Sequence, residues 1–216
     1  MIVGALKSGK VNRKSWIEKE RAIDVFDMKS DVIKTLMEIG ISKEHLFISD
    51  NTRPYYHPGR SGSVTFKSED GPCLAYFGEI HPAIIKKLDF KETNIYGLEI
   101  FLKNIIEPNK KIRQTKKSFQ ASDFQKSERD FSFVIEKIFK IGALEKIIKE
   151  IDTSIIKDVK TFDVYVGDNI PKEKKSVAIS VTLQADDKTL SEKDLDQITK
   201  KIIDVVKDKT GATIRS

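Results

Sequence analysis

The apolar positions of this chain change period along its length, and those changes mark out its elements. In the C-terminal half Phe131, Phe133 and Ile135 alternate with Ser132 and Val134, a period of two that predicts a strand. Leu144, Ile147, Ile148 and Ile151 then recur at helical spacing, after which Phe162, Val164 and Val166 alternate with Thr161, Asp163 and Tyr165. A polar turn from Gly167 to Lys175, carrying Pro171, leads into Val177, Ile179, Val181 and Leu183, interleaved with Ala178, Ser180, Thr182 and Gln184. A second helix is expected to open at Ser191, with Asp194 completing a carboxylate variant of the capping box. It runs through Leu195, Ile198, Ile202 and Val205 to Gly211, which suits a left-handed terminal residue, and Ala212 to Arg215 makes a short last strand. Strand, helix, strand, strand, helix, strand is the split βαβ order of the ferredoxin-like fold, in which two helices cover one face of a four-stranded antiparallel sheet.

Such a sheet leaves its other face uncovered. The inward set is Phe, Ile, Val and Leu, and the outward set is Ser132, Thr161, Asp163, Tyr165, Ser180, Thr182, Thr213 and Arg215. A ring, a cation and a field of hydroxyls suit unpaired bases, because single-stranded RNA is read by stacking and by hydrogen bonds to base edges. The same alternation belongs to any antiparallel sheet with one solvated face, so both readings stand.

The N-terminal half, to about Leu102, is less regular. Val32, Ile33, Leu36, Met37 and Ile39 mark a helix ending at Gly40. Strands are expected at Leu46 to Ser49, Val64 to Phe66, Leu74 to Ile80 and Ile95 to Leu102, with a helix from Pro82 to Leu88 whose proline suits the first helical turn. The fold class is therefore α+β: an antiparallel sheet with helices, incomplete as a domain, followed by the ferredoxin-like βαββαβ domain. The stretch Tyr55 to Ser63 reads as a rigid turn between strands or as an anion cradle, its glycines and serines accompanied by Arg60.

Composition narrows the class. With 39% apolar and 33% charged residues in 216, this is an ordinary globular protein of one large or two modest domains. No apolar run reaches about 18 residues, so no helix spans a membrane, and no signal peptide opens the chain. A single cysteine, Cys73, excludes internal disulfides and fits the cytoplasm. The net charge of +6 favours polyanionic partners. Six basic residues, Lys103, Lys110, Lys111, Arg113, Lys116 and Lys117, oppose only Glu107, and Pro108 and Asn109 break any regular element there. This basic linker, 103–121, separates a domain at 1–102 from one at 122–216. It either holds a phosphate backbone or is simply solvated. His57, His81 and Cys73 lack the short fixed spacings of a zinc site, and no nucleophile elbow, HExxH or glutamate pair occurs, so neither catalytic nor metal-ligating residues are expected.

Ser127 to Phe133, Phe162-Asp163-Val164-Tyr165 with Gly167, Lys174-Lys175-Ser176, Thr189-Leu190 and Gly211-Ala212 before Arg215 resemble the anticodon-binding domain at the end of the bacterial phenylalanyl-tRNA synthetase β subunit. Phe26-Asp27-Met28-Lys29, His57-Pro58-Gly59-Arg60-Ser61 and Gly78-Glu79-Ile80-His81-Pro82 are similar to that subunit's F-D-L-K, H-P-G-R-S and G-E-L/I-H-P signatures, in the same order. The chain departs from many relatives at Gln125, where they carry proline.

The resemblance implies a catalytically inactive synthetase-like module joined to an anticodon-binding domain, a C-terminal portion of a longer subunit. Its implied partners are tRNA(Phe), the α subunit and the rest of the β subunit, and ATP and magnesium serve the whole enzyme but not this portion. The RNA contacts expected on that basis are Arg129, Tyr165, Lys174, Lys175 and Arg215, with Lys116 and Lys117 from the linker. The alternatives are a free-standing single-stranded-RNA module and an amino-acid-sensing ferredoxin-like domain.

Overall fold

The computed structural model describes residues 1–12, 14–90, 94–105 and 122–215. The chain divides into two compact units, residues 1–117 and 118–216. The basic linker beyond Ile105 lies outside the described residues.

The first unit holds β1 (Ile2–Ser8), α1 (Val25–Ile39), β2 (Leu46–Ser49), β3 (Tyr56–Phe66), β4 (Cys73–Ile80), α2 (Pro82–Lys87) and β5 (Ile95–Phe101). Its five strands form one antiparallel sheet in the order β1-β5-β4-β3-β2. The opening apolar segment is thus an edge strand, β1, paired to β5. Helix α1 packs Met28, Val32 and Leu36 against Val64, Ala75, Phe77, Leu98 and Ile100. It begins earlier than its apolar period shows, because Asp24 caps it by accepting from the Phe26 and Asp27 amides. The stretch Tyr55 to Ser63 is not a turn. From Tyr56 onward it is part of β3, kept as strand by pairing to β4 on both sides of a register shift between Tyr56 and Ser61.

The second unit holds β6 (Ser127–Glu136), α3 (Ile141–Lys149), β7 (Ile156–Tyr165), β8 (Lys174–Leu183), α4 (Glu192–Thr210) and β9 (Thr213–Ile214). The strands are antiparallel in the order β7-β8-β6-β9, the ferredoxin-like arrangement. Phe131, Phe133 and Ile135 of β6 and Val177 to Leu183 of β8 meet Leu144 and Ile148 of α3 and Leu195, Ile198 and Ile202 of α4. The fourth core residue of α4 is Val206, not Val205, because the buried row advances by four from Ile198. Helix α4 opens on the reciprocal Ser191–Asp194 box and closes at Gly211, whose φ is 67°.

Strand β7 departs from simple alternation. Residues paired across antiparallel strands share a face, and two register shifts, at Lys157 and at Phe162, break the period. Ile156, Val159, Thr161 and Val164 pair with the inward Leu183, Val181, Ile179 and Val177. Thr161, expected outward, therefore faces the helices, where its amide and hydroxyl both donate to Glu145 Oε1 of α3, at 3.1 and 2.8 Å. Phe162, expected inward, is the extra residue of the bulge and is 56% exposed.

Candidate nucleic-acid interface

Cross-strand pairing assigns the uncovered face of the second sheet residue by residue. Glu128, Thr182 and Asp158 form one row across β6, β8 and β7, and Asp130, Ser180 and Lys160 form the next. Ser132, Ala178 and Asp163 follow, then Val134, Ser176 and Tyr165, with Thr213 paired to Val134 from β9. Lys174 pairs with Glu136 at the end of the sheet, its ammonium 3.7 Å from the carboxylate.

The face has two unlike ends. At one, the Arg215 guanidinium lies 5.5 Å from the centre of the Tyr165 ring, a cation–π contact. The Arg215 amide donates to the Ser132 carbonyl at 2.8 Å, which carries the residue on from β9 alongside β6. Beneath them the Ser132 and Ser176 hydroxyls are 2.9 Å apart, and Ser176 is only 4% exposed although it belongs to the uncovered face. Gly167 gives the ring room, since a Cβ there would overlap Tyr165 Oη. Tyr165 remains 39% exposed, a partly covered stacking surface.

At the other end a groove of about 460 Å³ is lined by Glu128, Asp130, Asp158, Lys160, Phe162, Ser180 and Thr182. Arg129 borders it too, although it pairs with the inward Val181 and so projects toward the helix side at the sheet's margin. The expectation of hydroxyls with a cation or two misses this end. Glu128, Asp130 and Asp158 belong to positions that apolar periodicity does not report, and no alternation reveals that a bulge turns Phe162 outward.

The expected contact residues divide accordingly. The structure brings Tyr165 and Arg215 together and puts Lys174 on the same face. Lys175 pairs with the buried Ile135, which places it on the helix side, and its ammonium donates to the Lys137 and Phe139 carbonyls at 2.9 and 2.7 Å. Burial lowers its pKa. Lys116 and Lys117 lie outside the described residues.

The first unit's signatures are joined by side-chain contacts of their own. Arg60 of the H-P-G-R-S stretch grips Glu79 of the G-E-I-H-P stretch through both of its carboxylate oxygens. Arg60, foremost, holds the Glu79 carboxyl below its ordinary range. Gly78 pairs with Ser61, and a Cβ at Gly78 would overlap the Ser61 side chain, so the two stretches approach as closely as only glycine permits. His81 caps α2 by accepting from the Ala83 amide, and His57 accepts from Gly59. In the F-D-M-K stretch Asp27 accepts two hydrogen bonds from Arg21, at 2.7 and 2.6 Å, and Met28 is fully buried. These residues build the unit.

Residues 122–215 match the family described as the ferredoxin-fold anticodon binding domain, and residues 1–102 match the phenylalanyl tRNA synthetase beta chain CLM domain. The chain belongs to the phenylalanyl-tRNA synthetase β-chain family. It is 34% identical over 215 residues to the phenylalanine–tRNA ligase beta subunit of Paramagnetospirillum magneticum, covering 100% of this chain and 26% of that one. To the corresponding subunit of Rickettsia bellii it is 36% identical over 212 residues, 98% of this chain and 24% of the other. The chain therefore spans about a quarter of the length of the curated relatives it matches. Within this synthetase family the two-ended sheet face falls inside the anticodon-binding match, and the Arg60–Glu79 hairpin falls inside the CLM match.

Proposed function

We propose that this chain is the tRNA-binding portion of a phenylalanine–tRNA ligase β subunit and that the uncovered face of its second sheet holds the anticodon region of tRNA(Phe). The observation that carries this reading is the Tyr165–Arg215 pair, a ring and a cation on an uncovered sheet face within the anticodon-binding match. Stacking on a ring tolerates any base, and a guanidinium beside it serves phosphate or base edge. Lys174 adds a cation to the same end, while Arg129 and the linker residues Lys116 and Lys117 act as peripheral phosphate contacts. Lys175, tied to two carbonyls, supports the turn it spans.

The ligase reaction belongs to the whole enzyme in the cytoplasm, with ATP and magnesium used at a site on the α subunit, and this portion contributes binding that presents the tRNA. Arg60, the arginine of the candidate anion cradle, is committed to Glu79. The test is titration of the chain with an anticodon stem-loop of tRNA(Phe). Tyr165→Ala is expected to weaken binding about tenfold or more, since one stacked base contributes about 1–3 kcal/mol. Unchanged affinity would remove Tyr165 from the interface. Pyrophosphate exchange with phenylalanine and ATP is expected to show no turnover by this chain alone.

A further inference from the structure

Phe162 has no role in the core. It is absent from the buried cluster of the second unit and from the residues packed around it, and the bulge between Thr161 and Asp163 turns it out of the inward row. A large ring held 56% exposed forgoes part of the burial that would stabilise the fold. It borders the groove on the uncovered sheet face.

Among the described residues, the side chains of Glu128, Asp130, Asp158 and Lys160 form no ion pair or hydrogen bond with one another, in contrast to Lys174 and Glu136 at the sheet's other end. The two rows place carboxylates on either side of Thr182 and set Asp130 against Lys160 across Ser180. Ionised carboxylates only accept hydrogen bonds. Adenine, cytosine and guanine each carry an exocyclic amino group that donates, and uracil carries carbonyls in its place. A carboxylate facing such a carbonyl leaves two acceptors opposed and desolvated.

We infer that this groove is a second base subsite beside Tyr165, in which Phe162 stacks one unpaired base and the carboxylates of Asp158, Glu128 and Asp130 select a base bearing an amino group over uracil. The inference rests on the proposed binding of the anticodon region. Phe162 and Tyr165 are three residues apart on β7, roughly 10 Å at about 3.3 Å per residue, so the two rings serve different bases of one strand. Lys160, at the groove's rim, is then the phosphate contact of this subsite.

The experiment titrates the full chain and its variants with the anticodon stem-loop of tRNA(Phe) and with stem-loops carrying uracil at each anticodon position in turn. Phe162→Ala is expected to weaken binding about tenfold, within the span of one missing stack, and Phe162→Tyr to retain it. At one position uracil is expected to weaken wild-type binding about tenfold, and Asp158→Asn combined with Glu128→Gln and Asp130→Asn to abolish that discrimination. The inference is overturned if Phe162→Ala binds as the wild type does, or if discrimination against uracil is absent or survives the triple substitution. Those failures, with Tyr165→Ala still weakened, leave the proposed function standing. A wild-type chain that does not bind the stem-loop ends both.

Discussion

Polar side chains of the first unit, Asp27, Arg60 and Glu79 of its signatures among them, are paired within that unit, whereas most of the described polar groups on the uncovered face of the second sheet are not paired with one another. Arg60 holds Glu79, Arg21 holds Asp27, and the Tyr55 hydroxyl donates to Glu99 at 2.7 Å. On the second sheet a bulge exposes Phe162, and charged side chains border a groove. A motif shared with a family thus has two physical meanings. Where its groups satisfy each other it specifies a fold, and where they are left facing solvent they are available to a partner.

Substitutions in the first unit should therefore act on stability, and those on the second sheet's face on binding. The largest effect is expected for Gly78→Ala, whose methyl group would overlap Ser61, at about 3 kcal/mol of destabilisation in denaturant unfolding. Glu79→Ala follows at about 2 kcal/mol, because it removes a nearly buried carboxylate that accepts two charged hydrogen bonds. If either variant instead weakened stem-loop binding at unchanged stability, the division between the units would fail. Asp24→Ala should cost about 1 kcal/mol through loss of the α1 cap, read in the same unfolding curve.

The pH dependence sharpens the comparison within the first unit. The Arg21 guanidinium, foremost, lowers the Asp27 carboxyl to about 2. A folded value below the ordinary value of about 3.9 means that this stabilisation is complete above that value and is lost as pH falls toward 2. The stability difference between wild type and Asp27→Asn should shrink over that window. The smallest expected effect concerns the linker. Replacing Lys110, Lys111, Lys116 and Lys117 with glutamine should flatten the slope of log K against log salt by about 0.7 for each phosphate no longer neutralised, leaving discrimination between stem-loops intact.

The fold is legible where one face of an element meets the core. Phe131, Phe133 and Ile135, and the row from Val177 to Leu183, keep the period of two because both strands lie at the centre of their sheet. Edge strands behave otherwise. All of β1 is exposed, and β7, also at an edge, contains the two bulges that reverse Thr161 and Phe162. Of the interface, Tyr165 and Arg215 are readable as outward residues, but their contact joins strands at opposite edges of the sheet and no local pattern encodes it. Lys175 reads as a free cation because the turn before β8 hides its register, which the pairing with Ile135 sets.

RNA is expected to meet the uncovered sheet face of the second unit and not its helices. Mapping backbone amide chemical shifts of the chain during titration with the anticodon stem-loop of tRNA(Phe) tests this most directly. Perturbations confined to 128–134, 158–165, 174–182 and 213–215, with Tyr165 and Arg215 among the largest, are the predicted result. Perturbations concentrated in α3 and α4, with the sheet face unmoved, would contradict it.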